Sequence, residues 1–245
     1  MTSKQERLLV LGRLSSMLAH EIRNPLAGIS AATQLLGGKL DEGDPRRKYV
    51  GMILKEIERV DEIVKNLLDY SRDGRACMMR ADLPSILDAA LAIFRDRLDA
   101  AGIEVVSTHD RAVPLIVCDM DMLGRAFRNL IANAIDAMPH GGTLTVRTAY
   151  DAAQNRVSAR IEDTGIGTDL EDVAELFSPF YTTKTKGNGL GLPVAVKCVE
   201  EHGGTITAHR RAEGGLAMVV RWPVNPADAG RGPAHETQHD PRAIT

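Results

Sequence analysis

Apolar and small positions step along the start of the chain by alternating threes and fours: Leu8, Leu11, Ser15, Leu18, Ile22, Pro25, Ile29, Ala32 and Leu36. That rhythm is the a/d seam of a coiled-coil-like helix. Gly37-Gly38 closes it, and a polar turn from Lys39 to Asp44 follows. A second helix opens at Asp44-Pro45, with the proline in its first turn, and carries the seam Val50, Ile53, Ile57, Val60, Val64, Leu67, Ser71. A short turn between two long helices predicts an antiparallel hairpin. One hairpin cannot bury both stripes, so two copies closing a four-helix bundle are expected.

From Ala81 onward the texture changes to alternating helices and strands. Pro84 to Ala101 and Asp119 to Met138 read as helices; Ile103 to Ser107 and Leu115 to Val117 read as short strands. Thr143 to Tyr150 and Arg156 to Glu162 alternate like antiparallel strands joined at Asp151 to Asn155. A helix from Leu192 to Glu201 and strands at Thr205 to Arg210 and Leu216 to Trp222 complete the pattern. The expected class is α+β: residues 1–72 a helical hairpin, 73–80 a linker, 81–224 a two-layer α/β sandwich on a mixed sheet, and 225–245 a disordered tail.

Composition narrows the function classes. The 245 residues carry a formal net charge of −3, with 4% aromatics, so neither a basic surface nor stacking platforms point to nucleic acid. Cys77, Cys118 and Cys198 are too scattered for a metal knuckle or a disulfide frame and read as reduced packing thiols of a cytoplasmic protein. No stretch reaches the roughly 18 apolar residues that span a bilayer.

Five elements carry candidate chemistry. His20-Glu21-Ile22-Arg23-Asn24-Pro25-Leu26 lies within the first helix. With Ile22 at a seam position His20 points away from the seam, and Asn24, four residues on, shares its face. Asn129 and Asn133, at i and i+4, project two amides from one helix face. Asp163-Thr164-Gly165-Ile166-Gly167 follows a strand, and its glycines let the backbone approach a flat ligand while the acid accepts from it. Phe177-Ser178-Pro179-Phe180-Tyr181-Thr182-Thr183-Lys184 concentrates aromatics in a long loop, as an anchor for a mobile segment. Gly187-Asn188-Gly189-Leu190-Gly191 runs into a helix, where free N–H groups favour an anion. The spacing is not that of a Rossmann fingerprint.

In this order, H-E-x-x-N-P, N-x-x-x-N, D-x-G-x-G, F-x-P-F and G-x-G-x-G resemble the H, N, G1, F and G2 boxes of two-component sensor histidine kinases, over residues 8 to 222. The H box and the short Thr182-Thr183-Lys184 stretch resemble the nitrogen-regulation type. The resemblance implies a dimerisation and phosphotransfer hairpin joined to a GHKL (Bergerat-like) ATP-binding domain, using ATP and Mg2+. His20 is then the phosphoacceptor, Glu21 its carboxylate partner, Arg23 a neighbour of the phosphoryl path, and Asn24 the amide that positions water for regulator dephosphorylation. Asn133 is implied as the Mg2+ ligand, with Asn129 close to the phosphates. Asp163 is implied as the acceptor for the adenine amine, with Gly165 and Gly167 admitting the base and Thr205 assisting. Phe177, Phe180, Thr182, Thr183, Lys184, Gly187, Gly189 and Gly191 then form the segment that covers the phosphates.

The implied partners are a second copy of the chain, the receiver domain of a response regulator, and a separate sensor protein. Nineteen residues before His20 leave no room for a sensor domain, so a catalytic core or a shorter kinase is expected. Two other readings stay open: a GHKL-type ATPase, disfavoured because Asn129 stands where such enzymes need a carboxylate, and a phosphatase-dominant or docking relative.

Overall fold

A computed structural model describes residues 22–71, 76–169, 173–182 and 189–228. They fall into two compact units, one up to residue 75 together with 169–197, the other 76–168 together with the segment from 198. His20, Glu21, Thr183, Lys184, Gly187 and the tail beyond 228 lie outside the described residues.

The first unit contains the hairpin, α1 (22–38) and α2 (Arg47–Ser71). Its turn is knitted by local charges. The Arg47 guanidinium donates to the Leu40 carbonyl at 3.0 and 3.2 Å and to Gly37 at 3.5 Å, satisfying carbonyls that the end of α1 leaves without helical partners. Arg46 holds the Asp44 carboxyl down at about 2. A Cβ on Gly37 would approach Val50 Cγ1 to 3.0 Å, so the helices meet closely there.

The buried side of the hairpin is not the whole of the predicted seam. Thr33, Val50 and Val64 are buried, and Leu26, Leu54 and Ile57 are half-buried, whereas Ile22, Ile29, Leu36 and Ile53 are exposed. An antiparallel pair covers one side of each helix, and a stripe stepping by threes and fours is wide enough for two partners. Thr33, polar and outside the predicted seam, is accommodated by donating its hydroxyl to the Ile29 carbonyl at 2.7 Å.

The second unit begins with β1 (Met79–Ala81), a strand that the hydropathy pattern did not announce; it pairs antiparallel with β3 (Ile116–Cys118). The expected single helix at Pro84 to Ala101 is two, α3 (Leu83–Ala92) and α4 (Arg95–Ala101), broken at Ile93-Phe94. Asp82 caps α3, accepting from the Ser85 N–H at 3.1 Å. Then come β2 (Ile103–His109), α5 (Met120–Ala137), β4 (Gly142–Asp151) and β5 (Arg156–Glu162), followed by β6 (Thr205–Arg210) and β7 (Leu216–Pro223). α6 (Gly191–Glu200) runs across the division between units.

The five-stranded sheet has the order β2-β4-β5-β7-β6, parallel at β2/β4 and antiparallel elsewhere. β4 and β5 are the expected hairpin, and Asp151 Oδ1 closes their turn by accepting from the Ala153 and Gln154 N–H groups. α3 packs on α5, and α5 reaches β5. The fully buried Trp222 of β7 lies 6.2 Å from the ring of Phe127 on α5, so the longest helix of this unit is pinned to the sheet by its largest side chains.

Candidate functional site

α5 buries Leu123, Phe127, Leu130, Ile131 and Ala134. A helix committed to the core along that stripe must present its remaining positions at the edge, and Asn129 and Asn133 lie there, both half-buried. The start of α5 is held by a relay that sequence reasoning missed. Asp119 Oδ1 accepts from the Met122 N–H at 3.0 Å, capping the helix, while Oδ2 accepts from the Cys77 N–H at 2.8 Å. The Asp119 N–H donates to Nε2 of the fully buried His202 at 2.9 Å, so Nδ1 carries the proton and donates to the Cys198 carbonyl at 2.6 Å. Burial works against the Asp119 carboxylate, but the N–H groups of Met122, Cys77 and Asp121 outweigh it and hold the carboxyl below its ordinary value. Burial and the Asp119 charge push the Cys118 thiol up to about 11, which leaves it an unreactive packing group; Cys77, by contrast, is exposed.

At the end of β5 the chain turns through Asp163, only 4% exposed. Its Oδ1 accepts from the Gly165 N–H at 2.9 Å and the Leu216 N–H at 3.3 Å, and among the described residues no donor is paired with Oδ2. Burial lifts this carboxyl above the ordinary carboxylate range; the two N–H donors and the Arg211 charge oppose the lift without cancelling it. The glycine after it is required by a close approach. A Cβ on Gly165 would run into the Ala137 carbonyl, the same group that accepts the Ile166 N–H at 3.0 Å. That contact ties the Asp163 loop to the end of α5, so the acid and the two-asparagine helix belong to one construction. Thr205, expected to assist at the base, is exposed at the start of β6 opposite Arg221, level with Ser158 on β5; the register thus sets it at the other end of the sheet from Asp163.

Gly215 (φ +83°) is required on the other side of the same loop, since a Cβ there would strike the Asp163 carbonyl. Its neighbour Arg211 donates to that carbonyl at 2.8 Å. Neither residue carries a local motif; the pairing of β5 with β7, and of β7 with β6, brings them to Asp163.

The remaining candidates lie in the first unit. Phe177 ends a 3₁₀ turn (Val173–Phe177) and is half-buried. Phe180, expected as an anchoring side chain, is 58% exposed; its main chain closes the loop instead, donating to the Gly189 carbonyl at 2.9 Å with φ +66°. Thr182 is exposed, and Gly191 begins α6. In the hairpin, Arg23 Nε lies 3.0 Å from Asp61 Oδ1, bridging α1 to α2, and Asn24 is exposed.

A helical hairpin followed by a mixed sheet, with an asparagine-bearing helix tied to a buried acid loop, is the α+β architecture of the histidine kinase catalytic core. The chain belongs to the histidine kinase family. Residues 10–75 match the His Kinase A (phospho-acceptor) domain, and residues 118–226 match the Histidine kinase-, DNA gyrase B-, and HSP90-like ATPase. Signal transduction histidine-protein kinase AtoS of Escherichia coli (strain K12) is 30% identical over 226 residues, covering 91% of this chain and 36% of that protein. Histidine kinase ThkA, solved in complex with response regulator protein TrrA, is 26% identical with a TM-score of 0.68, over 92% of this chain and 65% of that one. ShkA, solved with AMPPNP, shares the fold at a TM-score of 0.74 and 22% identity, over 86% of this chain and 45% of that one. The chain spans between 36% and 48% of the lengths of the first curated relatives it matches.

Proposed function

We propose that this chain transfers the γ-phosphoryl group of ATP to His20 and then to an aspartate of a response regulator. The observation that carries the reading is Asp163, buried, with Oδ1 occupied by two main-chain donors and Oδ2 unpaired among the described residues, on a loop tied to the Asn129/Asn133 helix. Such an acceptor suits the exocyclic amine of adenine, and the nearby amides suit its phosphates. Gly165 and Gly167 admit the base. Phe177, Phe180, Thr182, Thr183, Lys184, Gly187, Gly189 and Gly191 cover the phosphates.

In the first step an imidazole nitrogen of His20 attacks the γ-phosphorus. The N–P bond forms, the bond to the β–γ bridging oxygen breaks, and ADP leaves with that electron pair. Glu21 orients the ring or takes its other proton, and Arg23 steadies the phosphoryl oxygens. In the second step an aspartate of the regulator displaces the His20 nitrogen. Asn24, exposed and four residues after His20 in the sequence, positions water for dephosphorylating the regulator.

The residues fit Mg2+ as a substrate-borne ion. Among the described residues no group of three or more His, Cys, Asp or Glu could cage a metal, and the Asn133 amide offers one hard oxygen beside the phosphates. Bound there, Mg2+ would neutralise charge on the transferring phosphoryl group.

Exposed Ile22, Ile29, Leu36, Met52 and Ile53 support a second copy on the hairpin. Solved ThkA with TrrA supports a receiver domain as partner. Residues 1–72 serve dimerisation and phosphotransfer, 73–80 link, and 81–224 bind nucleotide, in a protein working in the cytoplasm under signal from a separate sensor. No helix among the described residues is long and apolar enough to cross a membrane.

Incubation with γ-labelled radioactive ATP and Mg2+ should label the protein at an acid-labile site. The label should vanish in His20→Ala while ADP binding persists. Equal labelling of that variant would remove His20 as phosphoacceptor.

A further inference from the structure

Arg211 lies in the turn between β6 and β7 with its side chain 19% exposed. Nη1 donates to the Asp163 carbonyl at 2.8 Å, Nε stands 3.8 Å from Glu162 Oε1, and Nη2 stands 3.4 Å from Glu213 Oε2. Its own main chain shapes the same turn, the N–H donating to the Gly215 carbonyl and the carbonyl accepting from Gly214. Leu216, the first residue of β7, accepts from the Asp163 N–H at 2.9 Å and donates to Asp163 Oδ1. One guanidinium thus grips two consecutive residues at the end of β5.

The charge arrangement around Asp163 is finely opposed. Glu162, 7% exposed, is its neighbour in the chain and shares Arg160, at 3.0 Å, and Arg211 as cations. Burial disfavours the charge of the Asp163 carboxyl, and the Gly165 and Leu216 N–H groups together with the Arg211 guanidinium oppose that effect. Its state decides what it can pair with: a carboxylate only accepts, whereas a carboxylic acid also donates. A carboxylate therefore matches the amine of a 6-amino purine and repels the oxygen of a 6-oxo purine.

We infer that Arg211 is a positioning residue which, acting through Asp163, makes the pocket selective for 6-amino over 6-oxo purine nucleotides. This rests on the proposed reading of Asp163 as the base-contacting group. The sequence holds no local sign of it, because Arg211 and Asp163 are brought together only by the pairing of β5, β7 and β6.

The test is calorimetric titration of the whole chain with ADP and with inosine diphosphate, which involves no phosphoryl transfer. Removing charge assistance from one hydrogen bond should lower the ADP-to-inosine-diphosphate affinity ratio about fivefold in Arg211→Met. Arg211→Lys should keep most of the ratio. Glu162→Gln, which removes the opposing charge, should hold or raise it, so the two directions remain distinguishable even if Arg211→Met fails to fold. A ratio unchanged in Arg211→Met, whether or not both affinities drop together, overturns the inference. So does a fall in the ratio in Glu162→Gln. Failure of the unmodified chain to bind ADP would instead sink the function on which the inference depends.

Discussion

Replacing Asp119 by alanine removes one carboxylate that serves two segments at once. The cap on α5 is worth about 1 kcal/mol. The second bond, from the exposed Cys77 N–H, adds about 1 kcal/mol, since a charged acceptor is offset there by access to water. The contact to His202 is made by the Asp119 N–H and survives the substitution, so the variant isolates the side chain. A total of about 2 kcal/mol corresponds to a fall in Tm of about 4–8 °C for a chain of this size. Far-UV circular dichroism gives the melt, and Trp222, the only tryptophan, reports the second unit through its packing on Phe127. Amide exchange at Cys77 should speed up, because its N–H loses its acceptor. The pH dependence has a definite sign. A carboxyl held below its ordinary value stabilises the fold at every pH above the unfolded value, about 3.9, and that contribution fades as pH falls through the lowered folded value. The gap in Tm between the native chain and Asp119→Ala should therefore be full at neutral pH and shrink in strong acid. A gap under about 0.5 kcal/mol, the size of an ordinary surface substitution, or one that widens on acidification, would refute the reasoning.

Two further outcomes follow from the acid loop. Asp163→Asn should abolish ADP binding yet raise the stability of the unliganded chain by on the order of 1 kcal/mol, because a buried carboxylate whose pKa is raised costs stability at neutral pH; a lower Tm in that variant would show that the carboxylate is not strained by burial. Gly165→Ala should weaken nucleotide binding and destabilise the second unit by about 1–3 kcal/mol, since its Cβ meets the Ala137 carbonyl and must part the loop from α5; unchanged urea midpoint and ADP affinity would show that the loop has room to spare.

Elements whose evidence is periodic were legible before any coordinates. α2, α5 and the β4–β5 hairpin appear where the spacing of apolar residues places them, and the Asn129/Asn133 pair stands on one face of α5 because i and i+4 must. Of the two three-residue strands, β3 was read one residue early from its apolar run at 115–117, and β1 was not read. β1 is three residues long and exists because β3 offers it an edge, and no periodicity can be read from three residues. The predicted helix at Pro84 to Ala101 hides its break at Ile93-Phe94, since both halves keep an apolar side.

By itself the sequence determined the hairpin, the alternation of helices and strands after it, and the order of motifs that place the chain among the histidine kinases. Those properties depend on neighbours within a few residues, and local spacing records them. Only the tertiary structure decided that Ile22, Ile29 and Leu36 stay uncovered in a single hairpin, that His202 and Asp119 hold the start of α5, and that Arg211 stands beside Asp163. Residues 48 and 83 positions apart meet there because strand pairing and burial bring them together, and the free energy of such contacts leaves no mark on the residues between them.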